Sequence, residues 1–173
     1  TAGLESEGEG ADSFRAGTDA GATSQGEASV AIGKNALKVQ NFTSATDSFN
    51  TAVGMDSGKA VTTGSENTII GSKAGSVFTT GVRNALLGYN SGVALATSNS
   101  DNTFIGHNSG SAITSGDANT ILGRFDGNGS GLDIRTASNN IVLSDGDGVP
   151  RAVVNSSGYF HASANISDSQ HFN

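Results

Sequence analysis

The sequence predicts an all-β fold: a parallel β-solenoid or β-roll with 17–18-residue coils, packed or intertwined as a homotrimeric fibre and followed by a small β-hairpin region. Three observations predict it. The stretch Asn67-Thr-Ile-Ile-Gly71-Ser-Lys-Ala-Gly75 recurs along the chain with few changes, and self-similarity at a fixed period of this size is the signature of stacked repeats. Anchored on the first Gly of each copy, at 33, 54, 71, 88, 106 and 123, the steps are 21, 17, 17, 18 and 17 residues. The residue just before each anchor is always a branched aliphatic, and the two before it are small, apolar or Thr, which suits short strands.

Composition agrees. Aromatics are 6%, Trp and Cys are absent, and Gly makes up 25 of 173 residues. A chain this poor in large side chains lacks the material of an ordinary globular core, yet it keeps a register that a disordered chain would not. Charged residues are only 14% and the net charge is −7, which argues against a nucleic-acid surface. No run is long and apolar enough to insert in a membrane as a helix. The chain opens on Thr1 without an initiator methionine, which suggests a fragment or a processed chain.

Residues 1–22 read as a linker or degenerate repeats, residues 23–131 as the solenoid shaft, and residues 132–173 as a β-rich cap or tip. Within the shaft, three corners recur. Seven positions before each anchor stand Gly26, Asp47, Gly64, Gly81, Asn99 and Gly116, which read as a left-handed corner because Gly, Asn and Asp tolerate positive φ. The anchors Gly54, Gly71, Gly88, Gly106 and Gly123 form the second corner. The third is a Gly column at 58, 75, 92, 110 and 127, with Leu37 in the first copy.

Between corners, Ile32, Val53, Ile70, Leu87, Ile105 and Leu122 share a strand face with Val30, Thr51, Thr68, Ala85, Thr103 and Thr120, since side chains alternate along a strand. The expectation is that this face fills the coil. The intervening column, Ala31, Ala52, Ile69, Leu86, Phe104 and Ile121, would then look outward, and an outward aliphatic column is best covered by two further copies around a threefold axis. A second apolar column, Val61, Phe78, Leu95 and Ile113, gives each coil about two strands. Asn67, Asn84, Asn102 and Asn119, with Asn50 before them, sit four residues ahead of each anchor. They read as a buried hydrogen-bonded ladder, the alternative being a row of sugar-binding amides.

Past the last copy, Asn139-Asn-Ile-Val-Leu-Ser144 runs into an Asp-Gly turn, with Pro150–Asn155 as its hairpin partner and a further strand from Tyr159 towards Ile166.

The segment Ala28-Ser-Val-Ala-Ile-Gly33-Lys-Asn-Ala36 resembles the head repeat of trimeric autotransporter adhesins, whose β-roll is trimeric. The longer repeat, Thr62-Thr-Gly-Ser-Glu-Asn-Thr-Ile-Ile-Gly71-Ser-Lys-Ala-Gly75, is similar to a repeat common in bacteriophage tail fibres. Asn139–Arg151 and Asn155-Ser-Ser-Gly158 look like the stretch that often follows it there. The resemblance implies a non-catalytic fibre of a virion tail or appendage, extracellular, binding a host-cell surface glycan or outer-membrane protein and other tail proteins. The alternatives it leaves open are the head of a bacterial surface adhesin and a polysaccharide-degrading tailspike. In that family a self-cleaving C-terminal chaperone often follows, and the expectation is a mature or truncated fibre end.

Candidate sites are few. Asp126-x-Asn128-x-Ser130-Gly131 has the alternating oxygen ligands of a calcium loop, with Asp133 as a substitute because Ala137 stands where the bidentate carboxylate belongs; Ca2+ is the one cofactor the sequence brings to mind, against the plainer reading of a Gly-rich turn. Tyr159, His161 and His171 are candidate receptor contacts at an aromatic-rich end, with Phe160 and Phe172 expected to plug the core. No nucleophile–base pattern points to catalysis. Ice binding through the Thr51, Thr68, Thr103 and Thr120 column is not expected, because that column is placed inside the coil and Ala85 interrupts it.

Overall fold

The computed structural model describes residues 13–22, 26–42 and 46–162. Its strands are β1 (Phe14–Ala16), β2 (Gly26–Glu27), β3 (Val30–Ile32), β4 (Thr46–Asp47), β5 (Thr51–Val53), β6 (Thr68–Ile70), β7 (Ala85–Leu87), β8 (Thr103–Ile105), β9 (Thr120–Leu122), β10 (Asn128–Gly129), β11 (Leu132–Asp133), β12 (Ile141–Ser144), β13 (Pro150–Val154) and β14 (Phe160–Ala162). There is no helix among the described residues. The main sheet runs β1-β3-β5-β6-β7-β8-β9-β12-β13-β14. From β1 to β12 every pairing is parallel, and equivalent repeat positions pair, as in Thr51↔Thr68 and Ile70↔Leu87. Eight parallel rungs at about 4.8 Å make a stack roughly 34 Å tall.

The rungs extend past the expected shaft at both ends. Phe14–Ala16 pairs with β3, so residues 14–22 form a coil of the stack, and Ile141–Leu143 pairs with β9 before turning into the antiparallel β12–β13–β14 meander. The hairpin read from the Asp-Gly turn is there, with a register irregularity between Leu143 and Ser144. The stretches before residue 13 and after residue 162 lie outside the described residues.

The two faces of the strands are the reverse of the expectation. The middle column is the interior: Ala31, Ala52, Ile69, Leu86, Phe104, Ile121 and Val142 are all buried. They pack in one cluster with Val61, Phe78, Leu95, Ile113 and Ile134 from the opposite wall of each coil. The flanking columns point away from the core, leaving Leu87 44% and Ile105 40% exposed. A coil of about 17 residues is wide enough for one layer of side chains from each wall, and the middle position of the main-sheet strands from β3 to β12 supplies that layer on this side. The opposite wall forms no strand. Its backbone bonds coil to coil through Thr62 N to Thr79 O (2.8 Å), Thr79 N to Thr97 O (3.1 Å) and Ala96 N to Thr114 O (2.9 Å).

Close stacking explains the anchor glycines. Gly71 has φ +134°, and a Cβ there would lie 2.3 Å from Gly88 O in the next coil; no side chain fits against backbone that near. The column seven residues earlier is not uniformly a left-handed corner: Gly116 has φ +145°, but Asp47 and Asn99 do not have positive φ. Gly64 and Gly81 lack positive φ and are required instead because a Cβ would meet Gly81 O at 2.4 Å and Asn99 O at 2.1 Å. The left-handed residues come two positions later, at Glu66, Arg83, Asp101, Ala118 and Asn139.

The Asn column is a continuous buried ladder. Asn50 Oδ1 accepts from Asn67 N (2.9 Å) and Nδ2 (3.1 Å), Asn67 Oδ1 from Asn84 N (2.9 Å) and Nδ2 (3.1 Å), and the pattern continues through Asn102 and Asn119. Asn140 ends it, donating from N (3.0 Å) and Nδ2 (3.1 Å) to Asn119 Oδ1. Each amide also reaches a corner carbonyl, such as Asn67 Nδ2 to Gly81 O at 2.9 Å. Every one of these side chains is buried, so none is free to hold a sugar.

Candidate functional site

Three surfaces carry the chemistry. The first is the outward face of the parallel sheet. Val53, Ile70, Leu87, Ile105 and Leu122 stand in one column and Thr51, Thr68, Ala85, Thr103 and Thr120 in the other, one residue of each per rung. No charged side chain interrupts either column from β3 to β12. The threonines are therefore outside the coil, contrary to the expectation that set ice binding aside.

The second surface is the C-terminal meander. Asn155 Oδ1 accepts from Ser157 N and Tyr159 N, each at 3.0 Å, which shapes the β13–β14 turn and sets Tyr159 out at 68% exposure. His161 is exposed, its Nε2 3.4 Å from Asn155 Nδ2. It shares with Leu132, Pro150, Val153 and Asn155 a shallow cleft of about 330 Å³ that Tyr159 does not line. Phe160 is 66% exposed and plugs nothing within the chain. His171 and Phe172 lie outside the described residues.

The third is the region of the suggested calcium loop. Asp126 Oδ1 accepts from Asn128 N at 2.8 Å, a local turn that launches the β10–β11 hairpin. Asp133 is held by Arg135, with Nη2 to Oδ2 at 2.7 Å and Nε to Oδ1 at 3.0 Å. These hydrogen bonds, the Arg135 side chain first and then its backbone N–H, hold the Asp133 carboxyl down at about 2. Asp126, Asn128 and Ser130 do face one cleft, of about 290 Å³, but Asp133 does not line it; Asn108, Ser111, Arg124 and Asp147 do. The Arg124 guanidinium lines the same cleft, and the described residues contain no cluster of three or more His, Cys, Asp or Glu that could hold a metal ion.

The neighbouring Asp145 is a structural carboxylate. Its Oδ1 accepts from Val149 N (2.9 Å) and Asp147 N (3.0 Å), and its Oδ2 is paired with Arg151. The Val149 N–H, then Arg151, lower its proton affinity.

Sequence reasoning missed the cleft and a neighbouring ring pair. Tyr89 and His107 stack with centroids 5.4 Å apart and planes at 18°. Both directly follow an anchor Gly, as does Arg124 in the next copy. That shared column was visible in the repeat and was the signal to follow. No protein-family model, curated protein or solved structure matches the chain.

Proposed function

We propose that this chain is a section of a homotrimeric fibre from a bacteriophage tail or related appendage, a rigid spacer that presents host-binding surfaces. The observation that carries the reading is the outward sheet face. A tall, uncharged strip of Ile, Leu, Val and Thr is costly to leave in water, and extended apolar patches mark interaction sites. Identical chains can meet there without like-charge repulsion, and a closed rotation covers all three strips at once. The case for three chains is thus transferred from the Ile69 column to the Ile70 column. The repeat's likeness to tail-fibre sequences supports the same reading. Three identical surfaces per fibre, repeated over several fibres, would convert weak contacts into firm attachment.

Sedimentation equilibrium tests it. A 17.2 kDa chain should sediment at three times that mass, and Leu87→Asp, which plants a charge in the strip, should shift the population to a folded monomer. A wild-type monomer at micromolar concentration overturns the proposal.

A second reading is favoured by the outward threonines. A rigid Thr-x-aliphatic array repeating every 4.8 Å or so is a surface on which ordered water could be templated, which is how a solenoid would bind ice. The two readings exclude each other because the face can be used once: thermal hysteresis from a monomer supports ice binding, and its absence from a trimer supports the fibre.

A further inference from the structure

We propose that the cleft between the β10–β11 hairpin and the β12–β13 turn binds a neutral, hydroxyl-rich oligosaccharide through Arg124, Asp126 and Asp147. This deepens the attachment reading and rests on it for the biological partner, but the site is built within one chain and does not require the trimer.

Separate stretches of chain meet at the cleft. Asn108 and Ser111 come from the corner after β8, Arg124 and Asp126 from the segment after β9, Asn128 and Ser130 from the β10–β11 hairpin, and Asp147 from the β12–β13 turn. At about 290 Å³ the space is near the lower end of ligand sites. Its lining is mainly polar, with Val149 as the apolar side chain.

The charges in it are unspent. Arg135 closes on Asp133, Arg151 on Asp145 and Arg83 on Asp101. Arg124, by contrast, has no ion pair among the described residues, although two carboxylates line the same cleft. The Asp147 carboxylate makes no hydrogen bond among the described residues, and Asp126 commits only Oδ1, to Asn128 N. Asn108 leaves its Oδ1 buried without a partner. The cleft therefore offers strong donors and strong acceptors held apart, not neutralising each other.

A sugar answers that pattern. Each hydroxyl donates one hydrogen bond and accepts others, so a vicinal pair can bridge a carboxylate and a guanidinium, and such charge-assisted bonds are the stronger ones. One arginine against two aspartates leaves the cleft with a net negative formal charge, which disfavours phosphate or a carboxylated sugar. The Tyr89–His107 pair occupies the same repeat column as Arg124 in the two preceding coils. It gives a longer glycan ring surface to follow down the stack.

The test is an array of bacterial surface oligosaccharides, neutral and acidic, probed with the intact chain, followed by calorimetric titration of the best ligand. The expected result is retention of one or more neutral glycans. Arg124→Ala and Asp147→Asn should each weaken binding at least tenfold while solution mass and circular dichroism stay unchanged, and Val77→Ala, at an exposed position outside the cleft, should bind as the wild type does. Retention of no glycan, retention of acidic glycans alone, or wild-type affinity in Arg124→Ala and Asp147→Asn overturns the site. A trimer that binds no sugar sinks this inference alone, and a monomer that binds sugar sinks the fibre reading alone.

Discussion

Removing one rung of the Asn ladder should cost a large fraction of the fold's stability, and Asn84 is the rung to remove. Its Oδ1 accepts from Asn102 N (3.1 Å) and Asn102 Nδ2 (3.3 Å), and its Nδ2 donates to Asn67 Oδ1 (3.1 Å) and Asn99 O (2.9 Å). Some partners have a second bond. Asn67 Oδ1 keeps the Asn84 backbone N–H, and Asn102 Nδ2 keeps Ser100 O and Gly116 O. Asn84→Leu therefore strands two groups, Asn102 N and Asn99 O, both on buried residues. At about 1–3 kcal/mol for each buried orphan, the loss should be about 2–6 kcal/mol, set against a typical total of about 5–15 kcal/mol. Asn84→Asp gives a sharper test. It keeps an acceptor for Asn102 N but replaces the donor to Asn99 O with a second acceptor. Burial raises the pKa of such a carboxyl in the folded state, so its penalty is absent at low pH. The penalty opens as pH climbs through the unfolded value of about 3.9, and it stops growing above the folded value. Urea unfolding at fixed protein concentration, at pH 3 and pH 7, should show the deficit relative to wild type widening with pH. A loss below about 1 kcal/mol for Asn84→Leu, or a pH-independent deficit for Asn84→Asp, would refute the ladder as a stabilising element.

Two further outcomes follow from the geometry. Gly88→Ala places a Cβ 2.2 Å from Gly106 O at φ +136°; backbone strain of about 1–3 kcal/mol and overpacking of similar size should lower the urea midpoint clearly, and a cost under about 1 kcal/mol would mean that the coils are not stacked so tightly. Asp133, depressed to about 2 by Arg135, favours folding above the unfolded carboxyl value and loses that contribution as pH falls towards 2. In Arg135→Ala the Asp133 carboxyl, followed by NMR titration, should rise towards the ordinary aspartate value, and a midpoint that stays near 2 defeats the assignment of the shift to that guanidinium.

The repeat made the stack, the anchor column and the Asn ladder legible, because in-register parallel pairing places like residues over like. It did not decide which face was inner. Ile69 and Ile70 are both aliphatic, and their columns stay apolar in every copy, so alternation alone gives two solutions. The deciding signal lay in each column's companions: Thr51, Thr68, Thr103 and Thr120 travel with Ile70 and are content in water, while Asn50, Asn67, Asn84, Asn102 and Asn119 travel with Ile69 and bond to one another along the stack. The corner at Gly64 and Gly81 was misplaced for a related reason. Glycine answers two demands, positive φ and close approach, and sequence does not say which. The left-handed residues proved to include Glu66 and Arg83, types that give no hint of it. Of the candidate site, Asp126, Asn128 and Ser130 were found from their spacing. Arg124 and Asp147 were not, because they are 21 or more residues from part of their surroundings and meet only through stacking.

The cleft also arises where the period fails. A coil of 17 residues has each position assigned to a corner, a rung or the core, as the hydrogen bonds from Asn84 to Asn67 over a separation of 17 illustrate. From Gly123 to its register equivalent, Ser144, the step is 21, and the ladder spans the same 21 between Asn119 and Asn140. The four extra residues cannot enter the coil without displacing Ile134 or Phe125 from the core. They leave it as the β10–β11 hairpin, and that hairpin supplies Asn128 and Ser130 to the cleft. The other 21-residue step, from Gly33 to Gly54, likewise coincides with an irregular element, the β2–β4 pairing outside the main sheet. In a stack this economical, surplus residues are the ones free to do chemistry, so a glycan site belongs where a long step adjoins the uniform coils. Deleting the hairpin to restore a 17-residue step should therefore keep the stack and abolish sugar binding together with the cleft.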